Sequence, residues 1–437
     1  MKYHIWTEGC QMNVADSLRV ASALEHFDYD ATNNPAEADV IVLNTCVVRQ
    51  SAEDKALGRL SSLRPLKDKN PNLIINLMGC MIGVRGNEHL KKKYPYVDVF
   101  SPPSDPMPLV NYLLQRNGQE DDAQQTAGRF AVMDGDLLIP DNLRGSLVSS
   151  YISVVLGCSH ACTYCIIPYR RGIEHSRPSE EIFNEARALV QQGVREITLL
   201  GQIVDRYGKD KPDYPSLAAL LERLSRIEGL ARLRFLTSHP NWMTDELLDC
   251  DANNPLVMPH IEVPAQAGDD EVLAGMKRGY TAAQYRNLVQ RIRERIPGVS
   301  ITTDIIVGFP GETEKQFQNT YDMLAELKMD VAHLARYSPR TGTVSASRMV
   351  DDVPDAEKWR RFRLLEELQE TISAEIHARH QDQVVPVLFE EKRKNRWKGR
   401  TPTNKLVFVE TDNNLRGVES DVKITWTGPW SMIGELL

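Results

Sequence analysis

The chain opens on a repeating alternation of short apolar runs and amphipathic stretches. Tyr3–Thr7, Val40–Leu43 and Leu73–Met78 are apolar on both faces, the signature of strands buried in a parallel sheet. Ala15–Phe27 and Ser51–Leu63 between them carry helical periodicity, so residues 1–117 predict a parallel α/β unit. The pattern then fails. From Gly118 to Asn142 the acids Glu120, Asp121, Asp122, Asp134 and Asp136 face one base, Arg129, and the stretch predicts a linker over 118–143 with a short strand at Phe130–Met133. Six further apolar runs follow: Tyr151–Leu156, Glu196–Leu200, Leu233–Leu236, Val257–Val263, Val299–Val307 and Val331–Tyr337. Helical patterns separate them, as in Glu181–Gln192 and Thr313–Lys328. Thr281 with Gln284, and Thr313 with Gln316, have the spacing of capping boxes. Six β/α units over 144–372 predict a partial barrel or a doubly wound sheet, and in either one reactive residues belong at the carboxyl ends of strands. A long charged helix over Pro354–Gln381 leads into 373–437. There Val384–Glu390, Leu406–Glu410 and Val422–Trp426, broken by Gly and Asn turns, predict a small all-β barrel.

Composition changes this picture little. Of 437 residues, 42% are hydrophobic and 26% charged, which suits a globular chain and excludes global disorder. No uncharged apolar run approaches the ~20 residues that span a bilayer, and the first residues lack a signal-peptide core. The expected place is the cytoplasm, with no membrane partner. The net charge of −8 excludes a global nucleic-acid footprint, so any such binding is local. Lys392-Arg393-Lys394-Asn395-Arg396-Trp397-Lys398-Gly399-Arg400 is one local candidate, with six basic residues in nine. Basic side chains interleaved with Trp397 suit phosphate contact plus base stacking, as well as a merely solvated hairpin.

The seven cysteines carry the chemistry. Cys158-Ser-His-Ala-Cys162-Thr-Tyr-Cys165 places three thiols in eight residues directly after a predicted strand. Thiolates are soft ligands for Zn, Cu(I) or iron–sulfur clusters, and structural Zn asks for four. Three thiolates on a four-iron cluster leave one iron open for chemistry. A second set is dispersed. Cys10, Cys46 and Cys80 each follow one of the first three predicted strands, about one βα unit apart. In a parallel sheet those strand ends share an edge, so the three thiols can converge. Three independent buried cysteines remain the alternative. Cys250 stands apart and is assigned to packing.

Cys158-x-x-x-Cys162-x-x-Cys165, with Tyr164 before the last cysteine, resembles the radical S-adenosylmethionine enzymes. Gly9-Cys10-Gln11-Met12-Asn13, Asn44-Thr45-Cys46, Gly79-Cys80, Arg177-Pro178, Leu200-Gly201-Gln202, Ser238-His239-Pro240 and Asp304–Thr313 extend the resemblance to the methylthiotransferases over nearly the whole chain. Gly9–Asn13 and Ala52-Glu53-Asp54-Lys55 favour the branch acting on tRNA. The family usually has an aromatic at Glu8, Asn at Ile203, His at Glu262 and Ser at Ala267.

The resemblance implies an N-terminal α/β domain, a central partial (β/α)6 barrel and a C-terminal TRAM barrel. It implies two [4Fe-4S] clusters, one on Cys158, Cys162 and Cys165 that cleaves S-adenosylmethionine to a 5′-deoxyadenosyl radical, and an auxiliary one on Cys10, Cys46 and Cys80 that holds the sulfur to be installed. S-adenosylmethionine is then both radical source and methyl donor, with Tyr164, Gln202, Ser238, Glu262 and Gln266 as candidate contacts. The implied reaction is methylthiolation at C2 of N6-isopentenyladenosine, position 37 of tRNA. Arg393, Arg396, Trp397, Lys398, Arg400 and Lys405 are the candidate RNA contacts. A flavodoxin- or ferredoxin-like electron donor is the further partner, and the sulfur source is left open. The same chemistry on a ribosomal-protein aspartate or on threonylcarbamoyladenosine, a non-enzymatic iron–sulfur or RNA-binding adaptor, and a zinc-binding structural protein are the competing readings.

Overall fold

A computed structural model describes residues 1–48, 50–85, 88–116 and 137–437. The strand expected at Phe130–Met133, and most of the linker, lie outside these residues.

The first unit is a parallel sheet in the order β2-β1-β3-β4-β5, made of β1 (Lys2–Glu8), β2 (Asp30–Ala31), β3 (Val40–Thr45), β4 (Ile74–Gly79) and β5 (Val99–Ser101). β3 and β4 are buried along their whole length, because helices cover both faces and no position turns to water. Gln11–Glu25 and Met107–Arg116 pack on one side around Val20, Leu24 and Leu113. Gln50–Lys69 packs on the other around Ala56, Leu60 and Leu63. In-register pairing of Glu8 with Thr45 and of Thr45 with Gly79 brings the carboxyl ends of β1, β3 and β4 level.

The central unit has the expected six long runs as strands: β6 (Ser149–Ser153), β9 (Glu196–Leu200), β10 (Arg232–Leu236), β11 (His260–Glu262), β12 (Ser300–Val307) and β13 (Val331–Arg336). A short antiparallel pair, β7 (Val155–Leu156) and β8 (His175–Ser176), closes the loop that holds the contiguous cysteines. β6-β9-β10 and β11-β12-β13 are parallel throughout, and a Leu233–Val257 bridge joins the two groups into an open partial barrel. Both capping boxes form, at Thr281 and Thr313. Leu137 and Ile139, at the end of the expected linker, already belong to this unit's core. Gln192 holds them there through Leu137 O at 2.6 Å and Ile139 N at 2.8 Å.

Helix Asp355–Ala378 leads to a closed barrel of β14 (Val384–Arg393), β15 (Arg396–Arg400), β16 (Leu406–Glu410), β17 (Glu419–Thr427) and β18 (Met432–Leu436). It is fastened to the foot of the central barrel. Arg232 donates to Arg400 O at 2.7 Å, Arg234 to Pro402 O at 2.7 Å, and Lys405 pairs with Asp330 at 2.6 Å. No helix among the described residues is long and apolar enough to cross a membrane.

Candidate active site between two thiol triads

Cys10, Cys46 and Cys80 all sit just beyond the level ends of β1, β3 and β4. Cys10 is the N-cap of helix Gln11–Glu25, while Cys46 and Cys80 begin the loops after their strands. Two buried amides lock this edge. Asn13 donates to Asn44 Oδ1 at 2.8 Å and to Thr45 O at 2.9 Å, and Asn44 returns a bond to Asn13 O at 2.9 Å. The asparagines of the Gly-Cys-Gln-Met-Asn and Asn-Thr-Cys stretches therefore tie one cysteine-bearing segment to the next. The Cys80 amide donates to Thr45 O at 2.9 Å, which seats it beside Cys46. Burial pushes the Cys80 thiol up to about 11, and Cys46 and Cys10 lie close enough to add to that rise. The three thiols share one edge, as the strand order predicts.

The contiguous triad occupies a loop pinned from three sides. Cys158 N donates to Gly172 O at 3.1 Å, Thr163 N to Met276 O at 3.1 Å, and Ser345 N to Thr163 O at 2.8 Å. Burial raises Cys158 to about 11 and Cys165 to about 12. Cys162 is half-buried, but the hydrogen bond with His160 and the charge of Arg278 outweigh the cost of that burial and lower it. Arg278 Nη1 donates to Cys162 Sγ at 3.3 Å.

Among the described residues, no three His, Cys, Asp or Glu side chains close on a single-ion site. One tetrahedral ion needs all its sulfurs ~2.3 Å from a single point. A cubane asks for less convergence, since each of three irons takes one thiolate. The donor set is all sulfur within each triad, which matches a cluster rather than a hard cation.

The five candidate S-adenosylmethionine contacts lie at strand ends or on the cysteine loop. Tyr164 is half-buried and packs on the barrel core. Gln202, after β9, donates to Met12 Sδ at 2.7 Å, two residues from Cys10, and so bridges the two triads' surroundings. Ser238, after β10, is buried with its hydroxyl unpaired, as a group awaiting a polar ligand would be. Gln266 has φ +76°, a strained turn at the end of the β11 run. Glu262 lines a cavity of about 680 Å³ that runs through the barrel from Gln11 to the C-terminal module. Burial, with Asp304 adding to it, pushes its carboxyl up to about 8, so it is neutral at pH 7 and able to donate.

The C-terminal module corrects part of the expected RNA surface. Trp397 is 4% exposed, packed with Val387, Phe389 and Val409 inside the barrel, and cannot stack on a base. Lys405 is also turned inward, to Asp330. Acids on the same strand or on a paired one stand beside the remaining bases. Arg393 meets Glu391 at 2.9 Å, Arg396 meets Glu410 at 3.7 Å, Lys398 meets Glu391 at 3.1 Å, and Arg400 meets Glu390 at 3.4 Å. The reading from sequence missed Trp426 and Trp430, which are 50% and 58% exposed. Trp430 lines the mouth of the cavity. The signal was there: Trp426-Thr-Gly-Pro-Trp430 puts both indoles beside a Gly-Pro turn, where a strand leaves the core.

Residues 152–324 match the model of the Radical SAM superfamily, and residues 2–101 match Uncharacterized protein family UPF0004. The tRNA-2-methylthio-N(6)-dimethylallyladenosine synthase of Chloroflexus aurantiacus is 45% identical over 99% of this chain and 91% of its own length. The protein of that name from Dehalococcoides mccartyi (strain CBDB1) is 44% identical over 100% of this chain and 98% of its own. Among solved structures, the radical S-adenosylmethionine methyltransferase TsrM from Kitasatospora setae, with cobalamin and a [4Fe-4S] cluster bound, superposes with TM-score 0.54. The match covers 79% of this chain and 76% of that one at 14% identity, a likeness of fold.

Proposed function

The chain belongs to the tRNA-2-methylthio-N(6)-dimethylallyladenosine synthase family, and on that premise we propose that its two thiol triads each hold a four-iron cluster around one adenine. It is a radical S-adenosylmethionine methylthiotransferase. The substrate is tRNA bearing N6-dimethylallyladenosine beside the anticodon, at position 37, and the product carries a methylthio group at C2. That carbon's hydrogen is not acidic and is no leaving group, so acid–base catalysis alone does not replace it. Bound to Cys158, Cys162 and Cys165, a cluster with S-adenosylmethionine supplies the radical chemistry, and one bound to Cys10, Cys46 and Cys80 supplies the sulfur.

The protein's own work is placement. The Asn13–Asn44 pair holds the dispersed thiols at one edge, and Arg278 charges the contiguous triad. Ser238 and the strand-end backbone at Gln266 offer polar contacts to S-adenosylmethionine. Neutral Glu262 can donate a hydrogen bond within the lumen while keeping an unpaired negative charge out of it. Lumen walls exclude water from reactive intermediates. Exposed Trp430 at the lumen's mouth suits stacking by a nucleotide of the bound tRNA. The setting is cytoplasmic, and an external flavodoxin- or ferredoxin-like protein is the electron donor.

The observation that carries this reading is the bond from Gln202 to Met12, which places the second unit's strand ends against the segment that begins at Cys10. The test is anaerobic reconstitution followed by iron and sulfide counting, then incubation with a dimethylallylated anticodon stem-loop, S-adenosylmethionine and reductant. About eight irons per chain and a 2-methylthio product by mass spectrometry are expected. A product only on threonylcarbamoyladenosine RNA or on a ribosomal protein overturns the acceptor.

A further inference from the structure

Arg171 belongs by sequence to the contiguous triad's loop, as the last residue of helix Ile167–Arg171. Its side chain leaves that loop and enters the other unit. It donates to Asp16 Oδ2 at 3.3 Å and to Ser104 Oγ at 3.1 Å, both across the boundary, its Nε is buried without a partner, and its charge lies beside the Cys80 and Cys10 thiols. The backbone beside it is fixed by the bond from Val84 N to Arg170 O at 3.0 Å. Arg171 is 7% exposed, Asp16 2% and Cys80 1%. A buried guanidinium is costly unless its partners justify it, and here one carboxylate and one hydroxyl leave Nε unpaired on the side of the dispersed thiols.

We infer that Arg171 is a positioning residue that sets the reduction potential of the cluster on Cys10, Cys46 and Cys80. This rests on the reading that those thiols hold a cluster. Reduction adds negative charge to a cluster, and a buried cation beside its thiolates stabilises the reduced form. Asp16 lies on the same guanidinium and offsets part of that charge, so the two side chains act with opposite signs. The dispersed site is thus completed by the neighbouring unit: only when the loop after Cys165 is docked does Cys80 receive its cation. In the contiguous triad the cation beside a thiol comes from the same unit, Arg278 donating to Cys162 Sγ at 3.3 Å.

The full-length chain with Cys158, Cys162 and Cys165 all replaced by Ala leaves one cluster to observe. Its midpoint is followed by dithionite titration and electron paramagnetic resonance. In that background Arg171→Gln is expected to lower the reduced-to-oxidised ratio at a fixed potential about tenfold, about 59 mV for one electron. Arg171→Lys recovers part of this, and Asp16→Asn moves the midpoint the other way. A purely structural role would not reverse sign between the two partners. If Arg171→Gln does not fold, the upward shift in Asp16→Asn carries the test. Iron retained with neither midpoint moved, or with both moved the same way, overturns the inference alone. No iron on the triple-Ala chain overturns the reading of the dispersed triad, and the inference with it.

Discussion

The two thiol triads present the same three sulfurs by opposite means. Cys158, Cys162 and Cys165 are gathered by one loop, and their spacing is set by local backbone. Cys10, Cys46 and Cys80 are gathered by sheet register, across three strands and the helices that return between them. The first arrangement can be preserved by a short segment. The second exists only when the whole N-terminal sheet is assembled, and it borrows its cation from the neighbour. Chemistry that must survive in isolation is written locally, whereas chemistry that must face a partner site can be distributed over a fold.

The strongest way to break the comparison is to remove a ligand from each side. Cys158→Ala is expected to abolish S-adenosylmethionine cleavage and product together. Cys10→Ala is expected to leave about four irons per chain and measurable 5′-deoxyadenosine, with no methylthio product by mass spectrometry. Equal loss of cleavage in both would merge the two sites into one.

Next come the glycines that precede a cysteine in each triad. Gly79 has φ +100° and a Cβ there would meet Thr45 O at 2.4 Å; Gly157 has φ +69° and a Cβ would meet Ile173 O at 2.2 Å. Each Gly→Ala change costs about 1–3 kcal/mol in backbone strain before the clash is counted. Thermal unfolding should show Gly79→Ala loosening the sheet edge and Gly157→Ala sparing it, with iron lost only from the adjacent triad.

A smaller effect falls on the dispersed side alone. Arg340, from the loop after β13, donates to Val48 O at 3.2 Å, Gln50 Oε1 at 2.9 Å and Glu53 Oε2 at 3.1 Å, just beyond Cys46. Arg340→Met should cost about 1–3 kcal/mol and speed chelator removal of iron from the dispersed triad, leaving the contiguous one unchanged.

The smallest effect lies between the triads. Glu262 has a folded value of about 8 against an ordinary 4.5, so the folded chain binds its proton more tightly than the unfolded one. That contribution is whole below 4.5 and drains away as pH climbs to about 8. Glu262→Gln should flatten this part of the denaturant-derived stability profile, by about 1 kcal/mol or more at pH 8, while both triads keep their iron.

How much could be read in advance follows the same division. The contiguous triad was legible from spacing alone. The dispersed one needed the strand–helix alternation, and it was legible because buried parallel strands are apolar on both faces and each cysteine followed one. The six barrel strands and both capping boxes were legible for the same local reasons. Trp397 was not. Period-two alternation on β15 turns Trp397 and Gly399 inward and Arg396, Lys398 and Arg400 outward, but a basic run hides which parity is inside. Glu390, Glu391 and Glu410 neutralise that run across strand pairs, which no linear count of charge reveals. Nothing in the linear sequence singles out Arg171, because its bonded partners Ser104 and Asp16 are 67 and 155 positions away and belong to the other unit.

The fastening of the C-terminal module has a consequence of its own. Two almost fully buried arginines, Arg232 and Arg234, grip main-chain oxygens of the 400–402 turn, and Arg232 adds a bond to Glu419 of β17 at 3.0 Å, so no single side-chain change in the module releases them. The module is a fixed gauge rather than a swinging arm. Its surface is therefore held at one set distance from the carboxyl ends of the central strands, and that spacing is measured by the protein itself.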